Sequence, residues 1–210
     1  MPPVHFTLYL VTDRRQTGGR PLVPLLREAI EAGPLAIQLR EPDLDTGELL
    51  ALAEEVLPPA HARRIPVLIN DRVDVVLATE AAGVHLRANS LPVSVARKLL
   101  GADRLVGAST HSPEEARRAE AEGADFVVLG PVYDTPSKRR YGTPIGVRAV
   151  EAACRRCRIP VFAIGGITAV RVREVRRAGA GGVAVVSAIL TADDVARATR
   201  DLLEAWRADP

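Results

Sequence analysis

Eight times along the chain, a short run of valine, isoleucine and leucine gives way to a stretch of helical periodicity. The runs are FTLYLVTD (6–13), LAIQLRE (35–41), PVLIND (66–71), GVHLRA (83–88), RLVGAST (104–110), DFVVLGPVY (125–133), PVFAIGGI (160–167) and GGVAVVSAI (181–189). Between them lie VPLLREAIEAG, GELLALAEEVL, PEEARRAEAEGA, VREVRRAGA and DDVARATRDLLEAW. Near-continuous apolar runs fit strands buried on both faces, and strand–helix alternation requires parallel pairing. Eight units is the number that closes a (β/α)8 TIM barrel, so a single such barrel over residues 1–210 is expected. A doubly wound open sheet competes. It would carry a glycine-rich phosphate turn after the first strand, and VTDRRQTGG does not match that fingerprint.

Several helical stretches start at Asp, Ser or Thr, whose side chains accept from free N–H groups, and several end at Gly. An apolar fraction of 47% with 26% charged residues and a net charge of +2 fits an ordinary soluble fold, with basic and acidic residues interleaved. General nucleic-acid binding is therefore not expected. The opening MPPVHFTLYLVTD has no charged n-region and no apolar run long enough for a membrane helix, so the expected location is the cytoplasm, with no membrane partner. A homodimer is the default expectation for assembly. Cys154 and Cys157 form C-x-x-C, but they lie in the helical pattern EAACRRCR with no second pair or nearby histidine; a structural role is preferred over metal or redox chemistry.

In such barrels the chemistry sits at the C-terminal ends of the strands. Polar residues gather there: Asp13; Gln38, Arg40 and Glu41; Asn70, Asp71 and Arg72; His85 and Arg87; Ser109 and His111; and a long loop from 130 to 142, GPVYDTPSKRRYG. Loops of that length inside compact folds are usually functional, and Lys138 in it is one of only two lysines. Gly165 and Gly166, with Val186 and Ser187, occupy the two final turns, where barrels often hold a phosphate on backbone N–H groups; a tight turn alone is the alternative. Gln38 and Arg40 point to one side, and Arg40 needs an anion: Glu41, another internal carboxylate, or a ligand. Asp71 has two readings, a divalent ion or an ion pair with Arg72. His111 has two as well, a general acid or base and a capping or solvent-facing side chain.

LYLVTD, QLRE, INDRVDVVLA, GVHL, GAST-H-S-EEA, GADFVVLGPVYDTPSK, PVFAIGGI and GGVAVVSAI, in order and at family spacing, resemble the thiamine phosphate synthase superfamily. The resemblance spans about residues 7–190 and implies the same barrel. It also implies one of two activities. A synthase joins a hydroxymethylpyrimidine pyrophosphate to a thiazole phosphate. A thiazole tautomerase moves a proton to aromatise the thiazole phosphate carboxylate.

For a synthase, the resemblance implies a pyrophosphate grip of Gln38, Arg40, Asn70, Asp71 and Lys138, with Mg2+ on Asp71. His85 and Ser109 would lie at the pyrimidine, and Thr135, Ser137 and Lys138 in a covering loop. Two departures stand out. Pro42 replaces the lysine of Q-x-R-x-K, and Ser90 of HLRANSLP replaces a second magnesium-binding aspartate, while Arg87 replaces a glycine. A cation near pyrophosphate contributes about 4 kcal/mol at ~4 Å and an effective dielectric of ~20. Losing such features favours the tautomerase, which needs a base and no cofactor. The expectation is thus a tautomerase-like isomerase with His111 and Lys138 catalytic, Arg40 on the ring carboxylate and the phosphate at Gly165, Gly166, Val186 and Ser187. A synthase, or a non-catalytic phosphate-binding regulator, is the alternative.

Overall fold

The computed structural model describes residues 4–135 and 143–208. Within them the eight apolar runs contain eight short strands: β1 (Leu8–Val11), β2 (Ala36–Leu39), β3 (Val67–Asn70), β4 (Gly83–Leu86), β5 (Leu105–Thr110), β6 (Phe126–Leu129), β7 (Val161–Ile164) and β8 (Gly182–Val185). They pair in parallel in chain order, and β8 closes on β1, as the repeat count requires. The helices α1 (Leu22–Ala32), α2 (Thr46–Ala62), α3 (Val73–Ala78), α4 (Val93–Leu100), α5 (Pro113–Ala121), α6 (Gly146–Arg156), α7 (Ala169–Arg177), α8 (Ser187–Leu190) and α9 (Val195–Arg207) surround them.

Every strand but β5 stops short of its apolar run at the C-terminal end. The clearest case is the eighth, where SAIL turns into α8 rather than prolonging the strand. Apolar residues beyond a ladder read like strand in sequence, although here they start the loops that form the barrel mouth. Helix starts follow the capping logic. Asp45 and Glu48 exchange side-chain-to-backbone bonds in a capping box, Ser112 Oγ accepts from Glu115 N, and Asp194 accepts from Arg197 N.

Alternate strand residues point inward, and the register aligns them as layers: Tyr9 beside Ala36, Asn70 beside His85, Ser109 beside Val128, Ile164 beside Ala184. All three phenylalanines of the chain, Phe6, Phe126 and Phe162, fill the lower interior with Tyr9, at centroid separations of 5.1 to 6.3 Å. The outward residues, such as Leu8, Leu10, Ile37, Val67 and Val127, form a second core beneath the helices. On the outside, Arg97 of α4 reaches over the start of β6. It donates to the carbonyls of Gly123, Gly101 and Arg104 and pairs with the buried Asp125, whose Oδ2 also accepts from Val106 N at 2.7 Å. That cluster ties α4 to β5 and β6.

Candidate active site at the barrel mouth

The upper inward layer divides in two. On the β2–β5 side it presents Gln38, Asn70, His85 and Ser109; on the β6–β1 side it presents Val128, Ile164, Val186 and Val11. Among the described residues, five buried side-chain polar atoms lack a hydrogen-bond partner, and four belong to Tyr9, Gln38, Glu41 and His85, at or just under this mouth. Buried polar groups are ordinarily paired, and within this set the Tyr9 hydroxyl and the Gln38 side chain face one another. The other end differs. A cavity of about 540 Å³ opens there, lined by His5, Phe6, His61, Arg64, Ile65 and Glu80, and none of those four residues takes part in it.

Arg40 follows Gln38 on the inward side. Its backbone N–H donates to Thr12 Oγ1 at 2.9 Å, while no hydrogen bond or ion pair among the described residues takes its guanidinium. Glu41, the neighbouring carboxylate, turns away: its Oε2 accepts from Arg14 N at 2.9 Å. Burial raises the Glu41 pKa, against hydrogen bonds from Thr12 and Arg14 that lower it. Among the described residues Arg40 is therefore left without an anion, which a buried or half-buried guanidinium ordinarily has.

After β3, Asp71 does not form the expected ion pair with Arg72. Arg72 pairs with Asp74 and donates to Thr46 Oγ1. Asp71 instead pairs across to the next loop: its Oδ1 accepts from Arg87 N at 2.8 Å and its Oδ2 from Arg87 Nε. The backbone at Asp71 is left-handed, φ 59°, which aspartate tolerates better than most residues and which turns the carboxylate toward Arg87. No sequence signal announces this pair, because the two residues lie sixteen positions apart, each just past the end of a different strand.

His85 is buried beneath the mouth. Its Nε2 lies 3.0 Å from Ser109 Oγ, and its ring sits in space opened by Gly107, where a Cβ would come within 2.7 Å of Nδ1 and 2.5 Å of Phe126 Cζ. Burial pushes its pKa down to about 3, and the Asp71 charge only partly opposes this. His85 is thus a neutral ring that orients Ser109, the partly exposed member of the pair.

His111 lies outside this layer, half exposed, with its N–H donating to Glu115 Oε2 at 2.7 Å and Nδ1 3.4 Å from the same oxygen. Thr135 closes the described part of the β6 loop, and Ser137 and Lys138 lie outside the described residues.

Gly165 and Gly166 have φ of 98° and 66°, and a Cβ on either would strike the β6 loop at Pro131 or Tyr133. That loop extends the ladder past the strand end, with Val132 N donating to Ile164 O and Tyr133 N to Gly165 O. Arg171 braces the same corner. It donates to Gly166 O at 2.7 Å and stacks 4.4 Å over the Tyr133 ring, whose hydroxyl donates to Glu174 Oε2 at 2.5 Å. Burial and Glu174 together raise the Tyr133 pKa, so the hydroxyl remains a donor. The turn and packing roles are thus real, and they leave the amides open. No hydrogen bond among the described residues engages the N–H groups of Gly165, Gly166, Ser187 or Ala188.

Magnesium is held by one or two carboxylates together with waters and substrate phosphates in octahedral geometry. Here Asp71 already accepts on both oxygens, on Oδ1 from the Arg87 backbone N–H and on Oδ2 from Arg87 Nε, and Ser90 offers only a hydroxyl. The Asp71 and Arg87 charges offset one another at this spot, leaving little net attraction for a dication. Among the described residues no group of three or more His, Cys, Asp or Glu is placed to hold a metal. The donor set does not fit the ion. Cys154 and Cys157 are free and partly buried, and burial raises both thiol pKa values, which is a structural pattern. No helix among the described residues is long and apolar enough to cross a membrane.

A family model described as thiamine monophosphate synthase matches residues 8–189. A putative thiamine-phosphate synthase of Geobacter sulfurreducens is 46% identical over 203 residues, covering 97% of this chain and 95% of the relative. The thiamine-phosphate synthase of Roseiflexus castenholzii is 41% identical over 197 residues, covering 94% and 86%. The solved thiamine phosphate pyrophosphorylase of Pyrococcus furiosus superposes with a TM-score of 0.88 at 36% identity, over 96% of each chain. These relatives carry the name of the coupling enzyme and lend no support to the isomerase expectation. The chain belongs to the thiamine monophosphate synthase family, the enzymes of thiamine biosynthesis built on this barrel.

Proposed function

We propose that the protein is a thiamine phosphate synthase, a transferase coupling hydroxymethylpyrimidine pyrophosphate to thiazole phosphate. The C–O bond between the pyrimidine methylene and pyrophosphate breaks, with its electron pair leaving on the pyrophosphate. The thiazole nitrogen lone pair then forms the new C–N bond to the methylene, giving thiamine phosphate.

One observation carries the reading: the mouth is polar, with orphaned or unpaired groups, on one half and apolar on the other. The polar half suits a charged leaving group. Gln38, Arg40 and Asn70 would bind the pyrophosphate, and Ser109, oriented by His85, would meet the pyrimidine. The open amides of Gly165, Gly166, Ser187 and Ala188 would hold the thiazole phosphate beside Val186, which walls the apolar side. Thr135, Ser137 and Lys138 would belong to the loop that covers both substrates. Stabilising the departing negative charge by preplaced donors is the main catalytic contribution available to these residues. The names of the relatives support coupling, and the exposed His111, already bonded to Glu115, gives no support to a proton shift.

The test supplies both substrates, with and without magnesium, and follows thiamine phosphate by fluorescence after oxidation to the thiochrome. Product formation is expected. Aromatisation of the non-aromatic thiazole tautomer without any thiamine phosphate would reinstate the isomerase, and neither product would indicate a non-catalytic phosphate-binding barrel.

A further inference from the structure

The Asp71–Arg87 pair occupies the place where a metal grip is expected, and its geometry is that of an anchored cation. Arg87 continues the inward-facing row of β4 two residues beyond His85, and Arg40 does the same on β2 two residues beyond Gln38, with Asn70 between them at the end of β3. Asp71 binds only the backbone N–H and Nε of Arg87. Both terminal Nη groups of Arg87 are left without a partner among the described residues, and the side chain is 51% exposed against 12% for Asp71. A guanidinium fixed at Nε and free at its fork presents two parallel donors, the arrangement that matches phosphate oxygens. The unpaired Arg40 supplies a second one from the neighbouring side.

We infer that Arg87 is a built-in cation for the diphosphate of the substrate, held by Asp71 as a positioning residue, so that this chain binds diphosphate without a divalent ion. The identity of the anion rests on the coupling reaction proposed above. Asp71 then acts through Arg87 and is not a metal ligand. Its left-handed backbone, a conformation that costs free energy, is maintained because it aims the carboxylate at Arg87.

Inorganic pyrophosphate is the probe, titrated calorimetrically into the full chain after EDTA treatment and again in excess magnesium. EDTA-treated protein is expected to bind it, within about fivefold of the magnesium value, and Arg87→Ala to weaken that metal-free binding at least about tenfold. Arg87→Lys, which keeps the charge but loses the fork and the Nε bond, should recover part of the loss and guards against an alanine variant that misfolds. Asp71→Asn should weaken binding in EDTA too, because it releases Arg87; a metal ligand would show its effect only with magnesium present. The inference is overturned if EDTA abolishes binding by the unmodified protein, or if Arg87→Ala and Arg87→Lys both bind pyrophosphate in EDTA as the unmodified protein does. Thiamine phosphate formation by the same preparations is read separately, and its absence would sink the coupling reaction without altering the pyrophosphate result.

Discussion

Lowering the pH from 7.0 to 4.5 should remove a defined part of the folding stability through one side chain, His85. Its ring is fully buried between Tyr9, Phe126 and Gly107, and burial places its folded pKa at about 3, against 6.5 for a free histidine. The folded pKa lies below the unfolded one, so the unfolded chain takes up a proton first as pH falls. The stability His85 contributes is therefore intact above about pH 6.5 and is lost progressively between about 6.5 and about 3. At about 1.4 kcal/mol for each unit across that window, the loss between pH 7.0 and 4.5 comes to about 2.5 kcal/mol. Carboxylates titrate over part of the same range, so the quantity to measure is a difference of differences. Urea unfolding of the unmodified chain and of His85→Gln, which can still bond Ser109 but cannot protonate, is compared at both pH values. The unmodified chain should lose about 2.5 kcal/mol more than the variant, and in NMR titration the His85 ring signals should stay fixed above pH 4.5. Parallel losses in the two chains, agreeing within about 0.5 kcal/mol, would mean that His85 charges inside the barrel and that its assignment as a neutral brace for Ser109 is wrong.

Three further outcomes follow from the structure. Arg97→Ala should cost about 3–5 kcal/mol in urea unfolding, because it leaves the Asp125 carboxylate buried without its cation; a loss under about 1 kcal/mol would refute the role given to that pair. Gly165→Ala should cost about 1–3 kcal/mol through its positive φ and the approach of its Cβ to Pro131, and should weaken binding of thiazole phosphate; unchanged affinity would remove that turn from the phosphate site. His111→Ala should leave thiamine phosphate formation within about twofold and stability within about 0.5 kcal/mol, as befits an exposed side chain bonded to its own helix, and a loss of turnover beyond tenfold would return His111 to the chemistry.

The residue 71 to 87 region shows where sequence reasoning reaches its limit. INDRV read alone leaves Asp71 between a metal and its neighbour Arg72, since adjacency is the only relation a linear string displays. The partner it takes is set by the shear of the closed barrel, which lays the end of β3 against the loop after β4. His85 behaves likewise. GVHL shows an inward histidine, but not that Gly107 and Phe126 enclose the ring and exclude water, which is what sets its charge. The double glycine after β7 was legible as a turn near a possible anion site, although its packing against residues 131–134 was not, because the two segments meet only through the β6–β7 ladder.

By itself the amino-acid order determined the eight strand–helix units, the caps that start helices at Asp45, Ser112 and Asp194, and the end of the barrel at which polar side chains collect. Those follow from periodicity and from bonds spanning three or four residues, which a linear reading contains. Which cation faces which carboxylate, which histidine is dry and which arginine stays unpaired were decided only when β8 met β1. Dielectric and partner distance are properties of the assembled ring, and they appear in no local stretch of the chain.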